Sequence, residues 1–369
     1  MISQSSVLKP SALIMAGGTG GHIFPGLAVA KELIGRGWQI HWLGSKGGME
    51  EKLVCQTGII LHSISIQGLR KKGIGGWIKA PLNLAIAIYQ ASKIIKKVNP
   101  EVVIGFGGFA SGPGGIASFF FGKTLFLHEQ NAIAGLTNKV LSRVSTCSFQ
   151  AFPNALTNKM SQTIGNPIRK EIKKIDKKQE VNEGQRVNVL VIGGSRGAVV
   201  FNEILPEIFS TLLERKKINL VHQCGLNNFE KTNENYLLRN KVANDNLTIM
   251  EFIDDMAKQY KWADLVICRA GALTVSEIAA VGIAAIFIPY PYAVDDHQTL
   301  NAKWLEKENA AIIIPQSKLP TSEAKQTINA LINDVNQLNR LARNAKSVAL
   351  INATEIMSDA CERVLLEAA

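Results

Sequence analysis

Residues 12–26 read ALIMAGGTGGHIFPG and residues 187–198 read VNVLVIGGSRGA. In each, an apolar β-type run gives way to a glycine-rich turn and then to a helix start. Glycine lets the backbone adopt positive φ and lets a ligand come close to the main chain. A helix that begins there points its first N–H groups and the positive end of its dipole outward, the chemistry of an anion site, most often for phosphate. The first turn also carries His22, which can take a proton near neutral pH. The competing role for a lone histidine is a hydrogen-bonded core residue. Pro25 suits the first position of the helix that follows. In the second turn Ser195 can donate to a phosphate alongside backbone N–H groups, or simply cap a helix.

Four further clusters follow apolar runs. The glycines of GFGGFASGPGG (105–115) imply close backbone approach, to a substrate or to a neighbouring loop, or else a flexible loop. His128, Glu129, Gln130 and Asn131 stand at the end of a strand, where ligands bind in open α/β sheets. The amides suit sugar hydroxyls. Glu129 reads as a base or as a partner that orients His128, against the plainer role of a strand-to-helix cap. In RAGALTVSE (269–277), Thr274 and Glu277 have capping-box spacing. Glu277 can alternatively accept from a ribose, although spacing alone favours capping. Asp295 and Asp296 suit a helix start, and offer too few oxygen ligands for a hard cation. A nicotinamide cofactor is disfavoured. Counted from Gly18, the sixth position of G-x-G-x-x-G falls on Ile23, and the second strand ends without an acid.

The elements that must position these groups alternate. Strand candidates lie near 12–16, 38–43, 59–66, 101–105 and 124–128, with helical patterns such as Gly26–Arg36 and Pro81–Lys97 between them. They recur at 187–192, 218–223, 247–251, 264–268 and 284–288, followed by a helical tail from about residue 323. Such alternation argues for parallel sheets covered on both faces. The Pro-bearing, charged stretch 165–178 reads as a domain junction. This places an N-terminal domain over 1–168 and a C-terminal domain over 169–345, with a last helix at about 346–369 returning to the first. A chain of 369 residues with 46% hydrophobic and 19% charged content is globular and long enough for two domains. Its five cysteines form no C-x-x-C pair, which suggests neither a disulfide framework nor a zinc site and fits a reducing compartment. The start MISQSSVLKPS lacks the features of a signal peptide.

The net charge of +11 belongs to the first half. Through residue 168 there are 16 Lys+Arg against 5 Asp+Glu, and 25 of each follow. Basic excess concerns partners, here nucleic acid or an anionic membrane. No nucleic-acid module pattern is present. Arg70, Lys71, Lys72, Ile74, Trp77, Ile78 and Lys79 mix basic and apolar groups around a glycine-rich loop, and Phe120 lies in FFFGK (119–123). Both stretches fit docking on an anionic membrane face, against the default of a buried core.

Taken in order, GGTGGHIFPGLAVA, GFGGFASGPG, HEQNAIAGLTN, GNPIR, GGSRGA, FIDDM, CRAGALTVSE and DDHQTLNA resemble the MurG family of glycosyltransferases from about residue 12 onward. The resemblance implies an α/β, GT-B fold of two Rossmann-like domains with parallel sheets facing a deep cleft. It implies inverting transfer of N-acetylglucosamine from UDP-GlcNAc to the 4-hydroxyl of the muramyl sugar of lipid I, giving lipid II for peptidoglycan, without a cofactor or a required metal. Carried over residue by residue, Ile253 contacts uracil through its backbone and Glu277 binds the ribose, which reverses the preference for capping. Arg169, Ser195, Leu273 and Thr274 serve the diphosphate, and Ala272, Val275 and Ser276 belong to the same donor site. Asn131 and Gln298 hold the donor sugar. Thr19, Gly20 and Gly21 line the floor of the cleft, and His22 is the candidate base. Arg196 stands where many relatives have Gln. The implied partners are lipid I, an anionic membrane and cell-wall synthesis proteins, with peripheral binding on the cytoplasmic face of the inner membrane and no nucleic acid.

Overall fold

The computed structural model describes residues 9–66, 74–158, 160–176, 180–194, 197–239 and 245–368, with backbone alone for 74–79 and 368. Met1–Arg169 with Leu350–Ala369 form one compact unit and Lys170–Ala349 a second.

In the first unit the order is β1 (Ser11–Ala16), α1 (Gly20–Gly35), β2 (Gln39–Ser45), α2 (Met49–Cys55), β3 (Ile60–Ile64), α3 (Ile74–Val98), β4 (Val102–Gly107), α4 (Ser111–Phe120), β5 (Thr124–Glu129), α5 (Leu136–Leu141), β6 (Cys147–Gln150) and β7 (Ser161–Thr163). Among the described residues the strands pair in the order β3-β2-β1-β4-β5-β6-β7, all parallel. Every residue of β1 and β4 is buried, as expected for strands covered on both faces.

The second unit runs α6 (Lys170–Lys173), β8 (Val187–Ile192), α7 (Val199–Glu214), β9 (Ile218–Gln223), α8 (Phe229–Leu237), β10 (Leu247–Met250), α9 (Met256–Trp262), β11 (Leu265–Cys268), α10 (Ala272–Val281), β12 (Ala284–Phe287), α11 (His297–Lys307), β13 (Ile312–Ile313), α12 (Ser322–Asn333) and α13 (Val335–Ser347). Its sheet, again parallel, has the order β10-β9-β8-β11-β12-β13. The last helix, α14 (Ala353–Ala368), belongs to the first unit. Met357 and Cys361 share a core with Val29 and Leu33 of α1. Arg36 at the end of α1 meets Asp359 at 2.6 Å and Glu362 at 2.9 Å.

In both sheets the strand order reverses beside the first strand, between β1 and β4 and between β8 and β11. Open α/β sheets bind ligands outside the carboxyl ends of the strands at such a switch point. The glycine turn at 17–21 follows β1 and the GFGG loop follows β4. The turn at 193–197 follows β8 and RAGALTVSE follows β11. Each unit thus delivers two of the sequence motifs to its own switch point.

Two helix starts differ from expectation. α1 begins at Gly20 with Thr19 as its N-cap, so Pro25 lies in the second turn rather than at the first position. The carbonyl that Pro25 leaves without its helical donor is that of Gly21, an exposed residue open to water. α3 begins at Ile74, seven residues before Pro81.

Candidate active site

At the first switch point the two glycine loops lie back to back. Gly108 has φ +87°, and a Cβ there would stand 2.3 Å from the Gly17 carbonyl oxygen. The GFGG glycines therefore serve close approach of loop to loop. The turn is anchored from beneath by Glu50, fully buried on α2. One carboxylate oxygen accepts the Ser45 N–H and hydroxyl, both at 2.7 Å, and the other accepts the Gly18 N–H at 3.2 Å. No sequence motif pointed to Glu50. Glu50→Gln would set an amide NH2 against one of these donors. It is expected to lower stability by about 1–3 kcal/mol, read as a drop in the denaturation midpoint. An unchanged midpoint would contradict that anchoring role.

His22 is half-buried at the start of α1, with its ring against Gly107 of β4. Its Nδ1 lies 2.8 Å from Gln130 Oε1. Thr19, Gly20 and Gly21 form the rim of the same turn, with Thr19 and Gly21 exposed.

The HEQN cluster needs three corrections. Glu129 is neither a base nor the partner of His128. It is buried, and its two oxygens accept from the N–H groups of Asn131 and Gly135 and the side-chain amides of Asn131 and Asn138. His128 is fully buried against Phe106, and burial pushes its pKa down to about 4. Gln130 is also buried and spends its amide on the two histidines and the His128 carbonyl, not on a sugar. Asn131 alone of the four is partly exposed.

At the second switch point, Gly197 has φ +71°, and a Cβ there would stand 2.1 Å from the Cys224 carbonyl oxygen. Gln223 at the end of β9 braces the turn, accepting the Gly193 N–H at 3.1 Å and donating to the Gly194 carbonyl at 3.0 Å. Ser195 and Arg196 lie outside the described residues. A cavity of about 720 Å³ opens beside the turn, lined among others by Gly194, Arg269, Thr274, Tyr290 and Gln298. Thr274 and Gln298 thus share one cavity with the glycine turn. Gln298 Oε1 accepts the Tyr290 N–H at 2.9 Å.

Arg269 escaped assignment from sequence, although it opens its motif. Its guanidinium donates to the carbonyls of Ile288 and Pro289 and to Gln316, and stacks 4.7 Å from the Phe201 ring. It brings a fixed positive charge to the cavity wall.

The capping-box reading of α10 fails. Gly271 is the N-cap, which puts Thr274 at the third helical position and Glu277 at the sixth. Glu277 is buried and accepts from the Tyr260 hydroxyl at 3.3 Å. Val275 has its side chain in the core, and its N–H bonds to the Gly271 carbonyl at the helix start. Ala272 is buried, while Leu273 and Ser276 are half-buried. Ile253 is buried in the loop before α9. Neither Ile253 nor Glu277 lines the cavity. Asp295 and Asp296 both take left-handed backbone, and Asp296 accepts the Thr299 hydroxyl at the start of α11. Arg169 ends the N-terminal segment of the first unit, just before α6, and is half-buried. Among the described residues no three of His, Cys, Asp and Glu converge to hold a metal ion.

The first unit carries an exposed apolar surface with lysines. Leu82, Ile86 and Tyr89 of α3 are exposed, and Phe120 of α4 is 75% exposed. Lys93 lies 4.6 Å over the Tyr89 ring. Arg70, Lys71 and Lys72 fall outside the described residues. Ile74, Trp77, Ile78 and Lys79 lie in α3 as backbone only. Among the described residues no helix is long and apolar enough to cross a membrane.

Two doubly wound parallel sheets, each with a glycine turn at its switch point, make up the GT-B fold of glycosyltransferases. Residues 12–150 match the glycosyltransferase family 28 N-terminal domain, and residues 188–363 match its C-terminal domain. The chain belongs to this family, and within it to the MurG group. It is 45% identical over 352 residues to a UDP-N-acetylglucosamine--N-acetylmuramyl-(pentapeptide) pyrophosphoryl-undecaprenol N-acetylglucosamine transferase from Shewanella amazonensis, covering 95% of this chain and 97% of that one. The enzyme of the same name from Shewanella oneidensis is 45% identical over 349 residues, covering 95% and 96%. The crystal structure of Acinetobacter baumannii MurG superimposes with a TM-score of 0.82 at 39% identity, covering 96% of this chain and 99% of that one.

Proposed function

We propose that this chain transfers N-acetylglucosamine from UDP-GlcNAc to the 4-hydroxyl of the N-acetylmuramyl sugar of lipid I, with inversion, giving lipid II. The observation that carries the reading is identity of 45% along 95% of the chain to relatives named for that reaction.

His22 takes the proton from the acceptor hydroxyl as its oxygen attacks the anomeric carbon. The bond from that carbon to the diphosphate breaks in the same step, and UDP leaves with the electron pair. Charge growing on the diphosphate is met by the N-terminal end of α10 at Ala272–Thr274, the second glycine turn with Ser195, and Arg169. Arg269, on the same cavity wall as Thr274, adds to that field. Ile253 and Glu277 hold the uridine, and Asn131 and Gln298 the sugar. Thr19, Gly20 and Gly21 border the reacting groups. A double displacement would need a carboxylate nucleophile at the anomeric carbon. The carboxylates beside the first turn, Glu50 and Glu129, are both held by N–H and hydroxyl donors, which supports a single inverting step. UDP release from UDP-GlcNAc should require a lipid I analogue. Equal release with soluble sugar acceptors would overturn the acceptor assignment.

The exposed apolar side chains of α3 and α4 and the surrounding lysines support docking of the first unit on the anionic cytoplasmic face of the cell membrane. Replacing Arg70, Lys71 and Lys72 by serine is expected to weaken sedimentation with anionic vesicles by about 10²-fold, from about 1 kcal/mol per basic residue near the surface. Unchanged vesicle binding would remove that patch from the docking face.

A further inference from the structure

We propose that Gln130, held by His128, whose ring is in turn fixed by the carbonyl of Gly165, is a positioning residue that fixes the tautomer of His22, so that Nδ1 carries the hydrogen and Nε2 presents its lone pair. The proposal rests on the reading of His22 as the base and says how that base is kept ready.

The hydrogen-bond polarity of the chain is forced from its far end. The carbonyl oxygen of Gly165 can only accept, and it lies 2.9 Å from His128 Nε2. His128 Nε2 must therefore carry a hydrogen. His128 is fully buried and neutral, so its Nδ1 is left as an acceptor. The Gln130 amide lies 3.1 Å from that Nδ1 and 2.9 Å from the His128 carbonyl oxygen. Both are acceptors, so the group facing them is the NH2, and Gln130 Oε1 must face His22. An amide oxygen cannot donate. At 2.8 Å from His22 Nδ1 it therefore requires the hydrogen to sit on that nitrogen.

Neutral imidazole carries one hydrogen, so Nε2 of His22 is left as the basic nitrogen. Among the described residues no hydrogen bond engages Nε2. The string Gly165–His128–Gln130–His22 does the work that a buried carboxylate does behind other catalytic histidines, but with neutral groups. It is anchored firmly. Gly165 has φ +87°, and a Cβ there would stand 2.4 Å from the Leu350 carbonyl oxygen, so only glycine fits this backbone. Asn166 donates to the Gln130 carbonyl oxygen at 3.2 Å, and Phe106 packs on the His128 ring. The GNPIR stretch, read from sequence as a domain junction, thereby supplies the fixed end of the relay.

The test uses the full chain labelled with ¹⁵N-histidine, with two-bond ring correlations reporting which nitrogen of His22 is protonated. The wild-type protein should show hydrogen on Nδ1 and a bare Nε2. Gln130→Met, which keeps the length but neither polar group, should mix the tautomers. It should also lower kcat about 10- to 100-fold, with KM for UDP-GlcNAc within about twofold. An Nε2–H tautomer in the wild-type protein would overturn the proposal, and that measurement needs no variant to fold. Unchanged kcat in Gln130→Met, or a loss confined to KM, would overturn it as well. Full activity in His22→Ala would instead reject the base reading, while the wild-type spectrum would still show whether Gln130 sets the ring.

Discussion

His22→Ala is expected to lower kcat by about 10²- to 10⁴-fold, the range for loss of a positioned general base. KM for the sugar nucleotide should change little, because the donor cavity is built from the second unit. The ring sits at the first switch point, half-buried, with one nitrogen tied to Gln130. A histidine kept only for packing would give a different result. Its removal would lower the melting midpoint and leave turnover per folded molecule intact. Near-normal kcat in a folded His22→Ala protein would take His22 out of the chemistry and require another base at the acceptor oxygen.

Glu277→Ala should raise KM for UDP-GlcNAc on the order of 10²-fold and weaken UDP binding in calorimetry by a similar factor. Hydrogen bonds to a charged group contribute about 1.5–3 kcal/mol each, and a ribose offers two hydroxyls. The alternative, a helix-capping role, is removed by geometry, since Gly271 caps α10 and Glu277 lies in its second turn. Tyr260→Phe is the control. It removes the hydroxyl that donates to Glu277 Oε2 while leaving the carboxylate in place, and should move KM far less. If Glu277→Ala melts earlier but binds UDP as before, the carboxylate is structural and does not hold the ribose.

The long buried strands were legible because parallel strands covered on both faces read as apolar runs, as in β1 and β4. The switch-point loops were legible because their glycines are dictated by positive φ and backbone contact, as at Gly108 and Gly197. The short strands were not. β6 (CSFQ), β7 (SQT) and the two-residue β13 are set by pairing with a neighbour and carry no run of their own. The start of α1 was hidden by Gly20 and Gly21, weak helix formers that the switch-point turn nonetheless places in the first turn. The capping-box pattern misled because its meaning depends on which residue is first in the helix, and Gly271 took that boundary. The polar supports of the site were the least visible. Glu50 reaches Gly18 across 32 positions, and Gln130 reaches His22 across 108. Neither carboxylate nor amide stands in a motif with its partner, so only the folded chain reveals the contact. The same limit made Glu129 look like a base when its oxygens close the loop that follows β5.

Supplying radiolabelled UDP-GlcNAc and a lipid I analogue in anionic vesicles, and resolving the lipid products, separates sugar transfer from nucleotide binding alone. Label is expected in a β-linked disaccharide-lipid, as inversion of an α-linked donor requires, with one UDP released per sugar transferred. A chain that binds UDP-GlcNAc yet leaves all label on the nucleotide, or that yields an α-linked product, would contradict it.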